Sequence, residues 1–258
     1  MKKIIYTIAL MVLVSGVAMA QNATSASTSK DSVENRFGFQ ALIGGKIGGS
    51  SPVSMPAEIR KIRSYQPALP FFVGVKATYQ IDKKWGVQTG VTFEGKGMNT
   101  KATVKGYRTS FNANENSEEN VKGYYTGDIT TNVHNLYITV PVQATFKLSD
   151  AWDLQAGPYV SFAVRRKFYG QATSGYMRSI VPTGTKVLIT DSEYDFSSDV
   201  RKIDVGMSVG SRYMFCNRFY GLAQFDYGFN NIMRTGFESI SFGLHNIFLN
   251  VGIGMKIK

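Results

Sequence analysis

The sequence has little of what a disulfide-rich, metal-binding or helical membrane protein needs. Cys216 is the only cysteine in 258 residues, which excludes an intrachain disulfide and a cysteine-rich metal site. After the N-terminal segment there is no run of about 18 apolar residues, so we expect no transmembrane helix. Charged residues make up 18% and aromatic residues 13%, a composition that argues against disorder. With 26 glycines and 7 prolines, the chain is too rich in glycine for a helical bundle.

The N-terminus has the organisation of a secretory signal. Residues 1–3 carry two lysines, residues 4–17 are apolar, and Ala18-Met19-Ala20 is a small-residue cleavage site. A membrane anchor would need a longer apolar run followed by stop-transfer charges. We therefore expect three parts: a cleaved signal peptide at 1–20, a flexible polar segment at 21–35, and an outer-membrane β-barrel at 36–258.

Apolar and polar residues alternate in eight segments of the remaining chain. In the last of them, Leu249, Val251 and Ile253 are separated by Asn250 and by glycines. A spacing of two places such side chains on one face of a β-strand. Most segments have about ten residues or more, the length that crosses a bilayer at a tilt. The segments are residues 37–47, 71–81, 85–93, 136–148, 152–164, 203–215, 219–229 and 246–258.

The connections between these segments alternate in length. Three of them are short turns and four are long. In an antiparallel barrel, this order places every short turn at one end and every long loop at the other, as in bacterial outer-membrane barrels. The predicted fold class is all-β: an eight-stranded antiparallel up-and-down transmembrane β-barrel with short periplasmic turns and long extracellular loops. The short turns are residues 82–84, 149–151 and 216–218, and the long loops are residues 48–68, 97–135, 168–202 and 231–245.

Aromatic residues follow the short turns. Trp85, Trp152 and Phe219 each come directly after one, and the two tryptophans are the only ones in the chain. We predict that the three form an interface girdle at the periplasmic rim, because aromatic side chains accumulate where lipid meets water. The alternative is a soluble lipocalin-like barrel, which would turn its apolar faces inward and would need no such girdle.

The polar faces of the strands must then fill the barrel. Eight strands enclose a lumen just wide enough for side chains, so we expect a packed, partly ion-paired interior. A narrow solute channel is the alternative, although open channels of the porin type need about 16 strands. The predicted lumen network consists of Lys76, Glu94, Lys96, Lys147, Asp153, Arg165, Asp204, Arg212 and Asp226.

Two histidines, His134 and His245, lie at loop ends on the predicted extracellular side and form the basis of an enzyme alternative. A lipid A-modifying enzyme would need one of them beside a hydroxyl and an acid. The sequence has no His-x-Ser pair and no repeated spacing of metal ligands, so we expect neither enzyme activity nor a metal or cofactor. The candidate partners of the histidines are Ser241, Thr131, Asp128 and Glu238.

The charge of the chain bears on its partners. Lys and Arg exceed Asp and Glu by 29 to 18, a formal charge of +11. In an exported protein, this excess fits anionic lipid headgroups better than nucleic acid. We expect outer-membrane lipid and lipopolysaccharide as partners, together with envelope or secretion-complex proteins. An acidic stretch containing Asp191, Glu193, Asp195 and Asp199 lacks ligand spacing and is typical of a solvated segment.

Several segments resemble the PorT-type outer-membrane β-barrel family of Bacteroidota. The more specific ones are Leu136-Tyr137-Ile138-Thr139-Val140-Pro141 and Ala156-Gly157-Pro158-Tyr159, and the glycine-alternating strands at residues 204–210 and 251–256 add to them. The resemblance covers about residues 36–258. It implies an eight-stranded barrel in the outer membrane. It does not fix a function, although the namesake of the family takes part in type IX secretion. From the lack of convergent catalytic groups we predict a non-enzymatic structural or interaction role, with an accessory of a secretion or envelope complex as one form of it.

Overall fold

The computed structural model describes residues 36–112, 120–179, 184–237 and 239–257. The expected signal peptide and polar segment lie outside these residues. Within them, no helix is both long and apolar enough to span a membrane. The described strands form a single sheet. They are β1 (Phe37–Ser51), β2 (Ile59–Ala68), β3 (Phe71–Gln80), β4 (Trp85–Asn112), β5 (Asn120–Lys147), β6 (Trp152–Arg165), β7 (Phe168–Ser179), β8 (Lys186–Ile189), β9 (Ser192–Asp195), β10 (Ile203–Met214), β11 (Phe219–Gly228) and β12 (His245–Lys256).

Eight of these strands close into a ring. They pair antiparallel in the order β1, β3, β4, β5, β6, β10, β11, β12, and β12 pairs back with β1 from Ser51↔His245 to Gln40↔Lys256. Closure gives both edges of every ring strand a partner, so the backbone polar groups of the ring are satisfied without water. The eight ring strands are the eight segments predicted from the alternation, and the predicted fold class is confirmed.

Side chains of the ring strands alternate between a lipid-facing and an inner face. In β12, Leu249, Val251 and Ile253 are exposed, whereas Phe248 and Asn250 are buried. The exposed side chains of the other ring strands are also mainly aliphatic or aromatic, and many of the buried ones are polar or charged. A soluble barrel has the opposite arrangement, so the lipocalin-like alternative is wrong.

Two of the three short turns are closed by their own side chains, and the third, at residues 216–218, is closed by backbone hydrogen bonds to the Phe219 carbonyl oxygen. Asp82 accepts hydrogen bonds from the backbone N–H groups of Lys84 and Trp85, both at 2.7 Å, and Ser149 accepts one from Trp152 at 3.1 Å. The hydrogen bonds from the Trp85 and Lys84 backbone lower the pKa of Asp82, because they favour the ionised carboxylate. Such side-chain-to-backbone bonds stabilise tight turns. They fix the connections at the periplasmic end of the barrel.

On the opposite side, part of the barrel wall continues beyond the rim. β4 and β5 each run for 28 residues and remain paired as far as Asn112↔Asn120. β2 follows β3 along β4, β7 follows β6 along β5, and both β8 and β9 pair with β7. We call this structure the extracellular wall. It consists of β2, residues 97–112 of β4, residues 120–135 of β5, β7, β8 and β9.

The prediction of loops at residues 48–68, 97–135 and 168–202 is therefore wrong for much of their length. Bulges interrupt the alternation of apolar and polar residues in these strands, so a search for strict alternation does not detect them. Two register shifts in β2 place Ile59, Ile62 and Tyr65 opposite inner-face positions of β4, so that every third residue faces inward. In β4, a further shift occurs at Gly106, whose φ of +65° suits glycine.

The inner face of the extracellular wall has an apolar core. Two clusters of buried side chains cover it, and the segment between β11 and β12 packs against the first of them. This core follows the rule of water-soluble proteins, in contrast to the polar interior of the ring below it. The first cluster contains Val133, Phe168, Val200, Ile232, Met233, Ile240 and Leu244, and the second contains Val104, Tyr125, Ala172 and Met177.

Candidate functional site

The lumen contains a network of buried ion pairs. The Lys96 ammonium lies 2.7 Å from Asp204 and 3.3 Å from Glu94. The Lys46 ammonium lies 2.5 Å from the other oxygen of Glu94 and 3.6 Å from Asp226. The side chains of both lysines are at most 1% exposed. Each charge is therefore compensated inside the barrel, which is the condition for keeping ions away from bulk water.

Closer to the periplasmic end, Arg212 organises a layer of glutamines. Its guanidinium donates hydrogen bonds to Gln40 at 3.0 Å and Gln88 at 2.8 Å, and it pairs with Asp153 at 3.2 Å. Gln88 in turn donates to Gln143 at 3.2 Å. These side chains come from different strands and hydrogen-bond to one another across the lumen. The layer therefore fills the lumen at this height.

Aromatic rings complete the packing of the lumen. Lys96 lies 4.5 Å from the ring centre of Tyr159, Lys46 lies 5.1 Å from that of Phe248, and the Arg212 guanidinium lies 5.6 Å from that of Tyr220. Such contacts stabilise desolvated cations. The cavity lined by Lys76, Glu94 and neighbouring lumen residues has a volume of about 30 Å³, roughly that of one water molecule.

Of the nine side chains predicted for the lumen network, the structure buries six and places a seventh, Asp153, in an ion pair with one of them. Lys147 is on the inner face but lies at the rim, where it is half exposed and pairs with the exposed Asp150 at 2.9 Å. Sequence reasoning missed Lys46, although it alternates with the apolar Ile47 and so had the required signal. The six buried residues are Lys76, Glu94, Lys96, Asp204, Arg212 and Asp226.

The placement of Arg165 in the lumen is wrong. A register shift near the end of β6 pairs Ala163 with Tyr137 but Arg165 with Leu136, which is an outward-facing position. This bulge reverses the alternation that the sequence analysis extended through residue 165. Arg165 is consequently exposed on the outer surface.

The aromatic residues predicted for the girdle lie on the outer surface near the short turns. Trp85 packs on Phe146 with ring centres 4.8 Å apart, and Trp152 packs on Tyr213 at 4.9 Å. Both tryptophans and Phe219 keep more than two fifths of their surface exposed. Paired rings of this kind present a broad apolar edge with polar atoms at its margin.

The polarity of both faces reverses along β4. On the inner face, Glu94 and Lys96 are followed by Met98 and Val104, and on the outer face Phe93 is followed at a distance by Lys101. A strand surrounded by lipid has its apolar side outward, and a strand surrounded by water has it inward. The reversal therefore locates the outer boundary of the hydrocarbon region between residues 93 and 101 of β4.

A polar cleft of about 620 Å³ opens on the outer surface next to this boundary. His134, Arg165 and Lys167 line it, and Glu193 and Asp195 of β9 lie in it as well. In the described part of the chain, the Arg165 and Lys167 side chains make no ion pair or hydrogen bond. Burial and the nearby Arg165 charge lower the pKa of His134, which favours the neutral ring. Arg165 and Lys167 are therefore two cations without such a partner in the described residues, and they lie next to the lipid-facing apolar surface.

Within the described residues, neither histidine is hydrogen-bonded to a hydroxyl or to an acid. His134 hydrogen-bonds Asn99 at 2.8 Å, and His245 hydrogen-bonds the backbone carbonyl oxygen of Gly228 at 2.9 Å. The candidate hydroxyl of Thr131 bonds instead to Tyr194, and the candidate acid Asp128 pairs with Arg63 at 3.0 Å. Glu238 lies outside the described residues. Over the described ranges, no group of three or more His, Cys, Asp or Glu residues could hold a metal ion.

One of the comparisons with known proteins assigns the chain to a family. The model of one family, described as outer membrane protein beta-barrel domain, matches residues 19–234. A search of curated proteins gives no match. Among solved structures, the attachment invasion locus protein Ail of Yersinia pestis in complex with sucrose octasulfate is similar at a TM-score of 0.34 and 10% identity, over 86% of this chain and 97% of that chain. Neisserial surface protein A gives 0.34 and 12%, over 86% and 98%, and OprG of Pseudomonas aeruginosa gives 0.24 and 15%, over 86% and 93%. Because the family model matches most of its length, the chain belongs to the outer membrane protein beta-barrel domain family and is an outer-membrane β-barrel protein.

Proposed function

We propose that this protein acts by contact, as a non-enzymatic structural or interaction partner in the outer membrane. More narrowly, the PorT-like segments support a role as an accessory of an envelope or secretion complex of the type IX kind. The observation that carries the proposal is the packed lumen, in which Lys46, Lys96 and Arg212 are held by anions, amides and rings. A lumen filled in this way supports a role in contact with other molecules over a role in conducting solutes.

The outer surface offers a contact for lipid. The polar cleft adjoins the lipid-facing apolar surface, and the free cations Arg165 and Lys167 are at the height where the phosphates of an outer leaflet begin. Glu193 and Asp195, on the far side of the cleft, suit the divalent cations that accompany lipopolysaccharide phosphates. This arrangement supports lipopolysaccharide as the lipid partner.

The extracellular wall offers a contact for protein. Its two edges differ in chemistry: β2 carries the exposed cations Arg60, Lys61 and Arg63, whereas β8 exposes Val187 and Leu188, the latter at 81%. Charged residues on an edge strand hinder the addition of another strand, and an apolar edge permits it. The β8 edge is therefore the site at which we place a protein partner.

Photo-cross-linking in intact cells tests the contact role. A photoreactive amino acid that replaces Leu188 should give a discrete protein adduct. The same photoreactive amino acid in place of Lys61, on the opposite edge of the extracellular wall, should give none. Adducts only to lipid, or equal adducts at both edges, would contradict the role of β8. In planar bilayers the folded protein should show no stepwise conductance, and discrete steps would favour the channel alternative.

The enzyme alternative has its own test in the lipid A of a deletion strain. We expect the acyl pattern, measured by mass spectrometry, to match that of the parent strain. A changed pattern that the wild-type gene restores, but that His134→Ala or His245→Ala variants do not, would overturn the non-enzymatic proposal.

A further inference from the structure

An apolar pocket of about 390 Å³ lies on the inner face of the extracellular wall. β2, β4 and β5 form one side of it, with Ile62, Ala102 and Ile129 among the lining residues. The end of β1, the start of β12 and the segment before β12 form the other side, which includes Phe242 and Leu244. The volume lies in the range of pockets that enclose small molecules.

The chemistry of the lining excludes a charged occupant. None of the described residues that line the pocket is charged. Two of its hydroxyls are already used: Tyr65 accepts the Gly48 N–H at 2.9 Å, and Thr131 bonds Tyr194 at 2.7 Å. The hydroxyl of Tyr107 has no hydrogen-bond partner within the described residues, and burial raises its pKa. A ligand can therefore accept a hydrogen bond from Tyr107 but finds no counter-ion.

The position of the pocket determines the direction from which a ligand arrives. Its lining side chains on β4 and β5 continue the inner face of the barrel, while the lipid-facing side chains lie on the opposite face. Acyl chains of the surrounding leaflet contact only that outer face. The packed ring closes the periplasmic side of the lumen with the network around Lys96. The remaining approach is from the extracellular water.

Local backbone devices build the pocket. The two shifts in β2 turn Ile59, Ile62 and Tyr65 inward, and the shift at Gly106 turns Tyr107 inward after Val104. A Cβ at Gly49 would collide with the Met98 side chain, so glycine there leaves room for that side chain at the pocket wall. Met55 and Met98 add flexible, polarisable surface of the kind that adapts to varied apolar ligands.

We propose that this pocket binds a small, uncharged, mainly hydrocarbon molecule that reaches it from outside the cell and carries one acceptor for the Tyr107 hydroxyl. Long-chain esters, alcohols and aromatic ketones have this chemistry. The site goes beyond the contact role proposed above and does not depend on it, because that role uses the outer surface and the β8 edge. The two proposals can fail separately. Cross-linking at β8 without ligand binding would support only the contact role, and ligand binding without cross-linking at β8 would support only the pocket.

The test uses the folded protein in lipid nanodiscs and a decyl ester that carries an aliphatic diazirine and a terminal alkyne. After irradiation, mass spectrometry maps the labelled peptides. We expect saturable labelling of peptides that contain Met55, Met98 or Phe242, and competition by methyl decanoate that is at least about ten-fold stronger than by the decanoate anion, because no charge lines the pocket. Labelling of the lipid-facing strands serves as the internal measure of correct folding.

Two variants separate binding from general partitioning. Ala102→Trp fills the pocket and should abolish the saturable labelling, whereas Lys101→Trp, one residue earlier on the outer face, should retain it. Tyr107→Phe keeps the shape and should weaken competition by methyl decanoate about five-fold, as expected for one lost hydrogen bond, without affecting competition by decane. The conservative variant thus remains informative if Ala102→Trp does not fold.

Three outcomes would overturn the proposal. The first is labelling of the pocket peptides that never saturates. The second is labelling that persists unchanged in folded Ala102→Trp. The third is a protein, in place of the probe, cross-linked to the pocket residues in intact cells, because the pocket would then be a protein interface.

Discussion

Lys96 and Asp204 form an ion pair of 2.7 Å across the lumen, although 108 residues separate them in the chain. Their strands, β4 and β10, are three positions apart in the ring, so the bond links two different parts of the wall. Among the described residues the same interior holds four cations and four anions, which makes it close to neutral; Lys76 donates to the Gln143 amide oxygen at 3.0 Å, and the other seven form ion pairs. The cations are Lys46, Lys76, Lys96 and Arg212, and the anions are Glu94, Asp153, Asp204 and Asp226.

Removal of one buried cation from the lumen should lower the stability of the barrel. In Lys96→Met, Asp204 and Glu94 lose a buried partner, and an uncompensated buried charge typically costs about 3–5 kcal/mol. We expect a loss of this size in the free energy of unfolding, measured by denaturant titration in lipid vesicles. The matched variant is Lys147→Met, whose ion pair is solvent-exposed, and it should change stability little. Equal effects of the two variants would contradict a buried network.

Close contact between a glycine and a ring should make one residue intolerant to substitution. A Cβ at Gly254 would collide with the Tyr220 ring in the lumen, whereas at Gly221 the nearest atom would be 3.8 Å away. We expect Gly254→Ala to lose about 1–3 kcal/mol of stability and Gly221→Ala to lose little. Combining Gly254→Ala with Tyr220→Ala should recover part of the collision energy. If Gly254→Ala is as stable as the parent protein, the ring does not lie where we describe it.

The single cysteine reports the orientation of the barrel. Cys216 is exposed and lies in the short turn between β10 and β11. A polymer-linked maleimide too large to cross the outer membrane should leave it unmodified in intact cells and modify it after the membrane is permeabilised. A cysteine placed at Leu188 of β8, in a Cys216→Ser background, should react in intact cells. Reaction of Cys216 in intact cells would show that the short turns face outward.

Two equally exposed valines should respond differently to charge. Val91 is 49% exposed on the lipid-facing side of β4, and Val187 is 54% exposed on β8 of the extracellular wall. We expect Val91→Lys to cost about 2–4 kcal/mol, as for a lysine near the bilayer midplane, and Val187→Lys to cost little because its side chain stays in water. The comparison is made by unfolding in vesicles. Similar costs at both positions would mean that both lie in the same medium.

The ring could be predicted from the sequence because lipid imposes strict alternation on it. In β12, Leu249, Val251 and Ile253 identify the lipid-facing side of the strand. A shift of one residue would turn every apolar side chain toward the lumen and every polar one toward lipid. The extracellular wall could not be predicted in the same way. In β2, bulges change the spacing of Ile59 and Ile62 to three, and a search for a spacing of two reads the segment as irregular.

The site residues could likewise be predicted where their strand is regular and could not be predicted where it has a bulge. Glu94, Asp204 and Arg212 lie in regular parts of strands, so parity placed them on the inner face. Arg165 follows a bulge that sequence periodicity cannot show, and its true position is the polar cleft. The pocket around Tyr107 joins residues from β1, β2, β4, β5 and the segment before β12. Such a site depends on the register of several strands, which composition and periodicity do not specify.

The measurement that tests the central claim most directly is a nitroxide scan along the outer face of β4. Single spin labels at Val87, Val91, Phe93, Asn99 and Lys101, in a Cys216→Ser background, report collisions with oxygen, which concentrates in lipid, and with a water-soluble nickel chelate. We expect oxygen to dominate at Val87, Val91 and Phe93 and the chelate to dominate at Lys101, with the change between residues 93 and 101. Access of the chelate to Val91, or the absence of any change along the strand, would contradict an apolar surface facing lipid below and a water-exposed wall above.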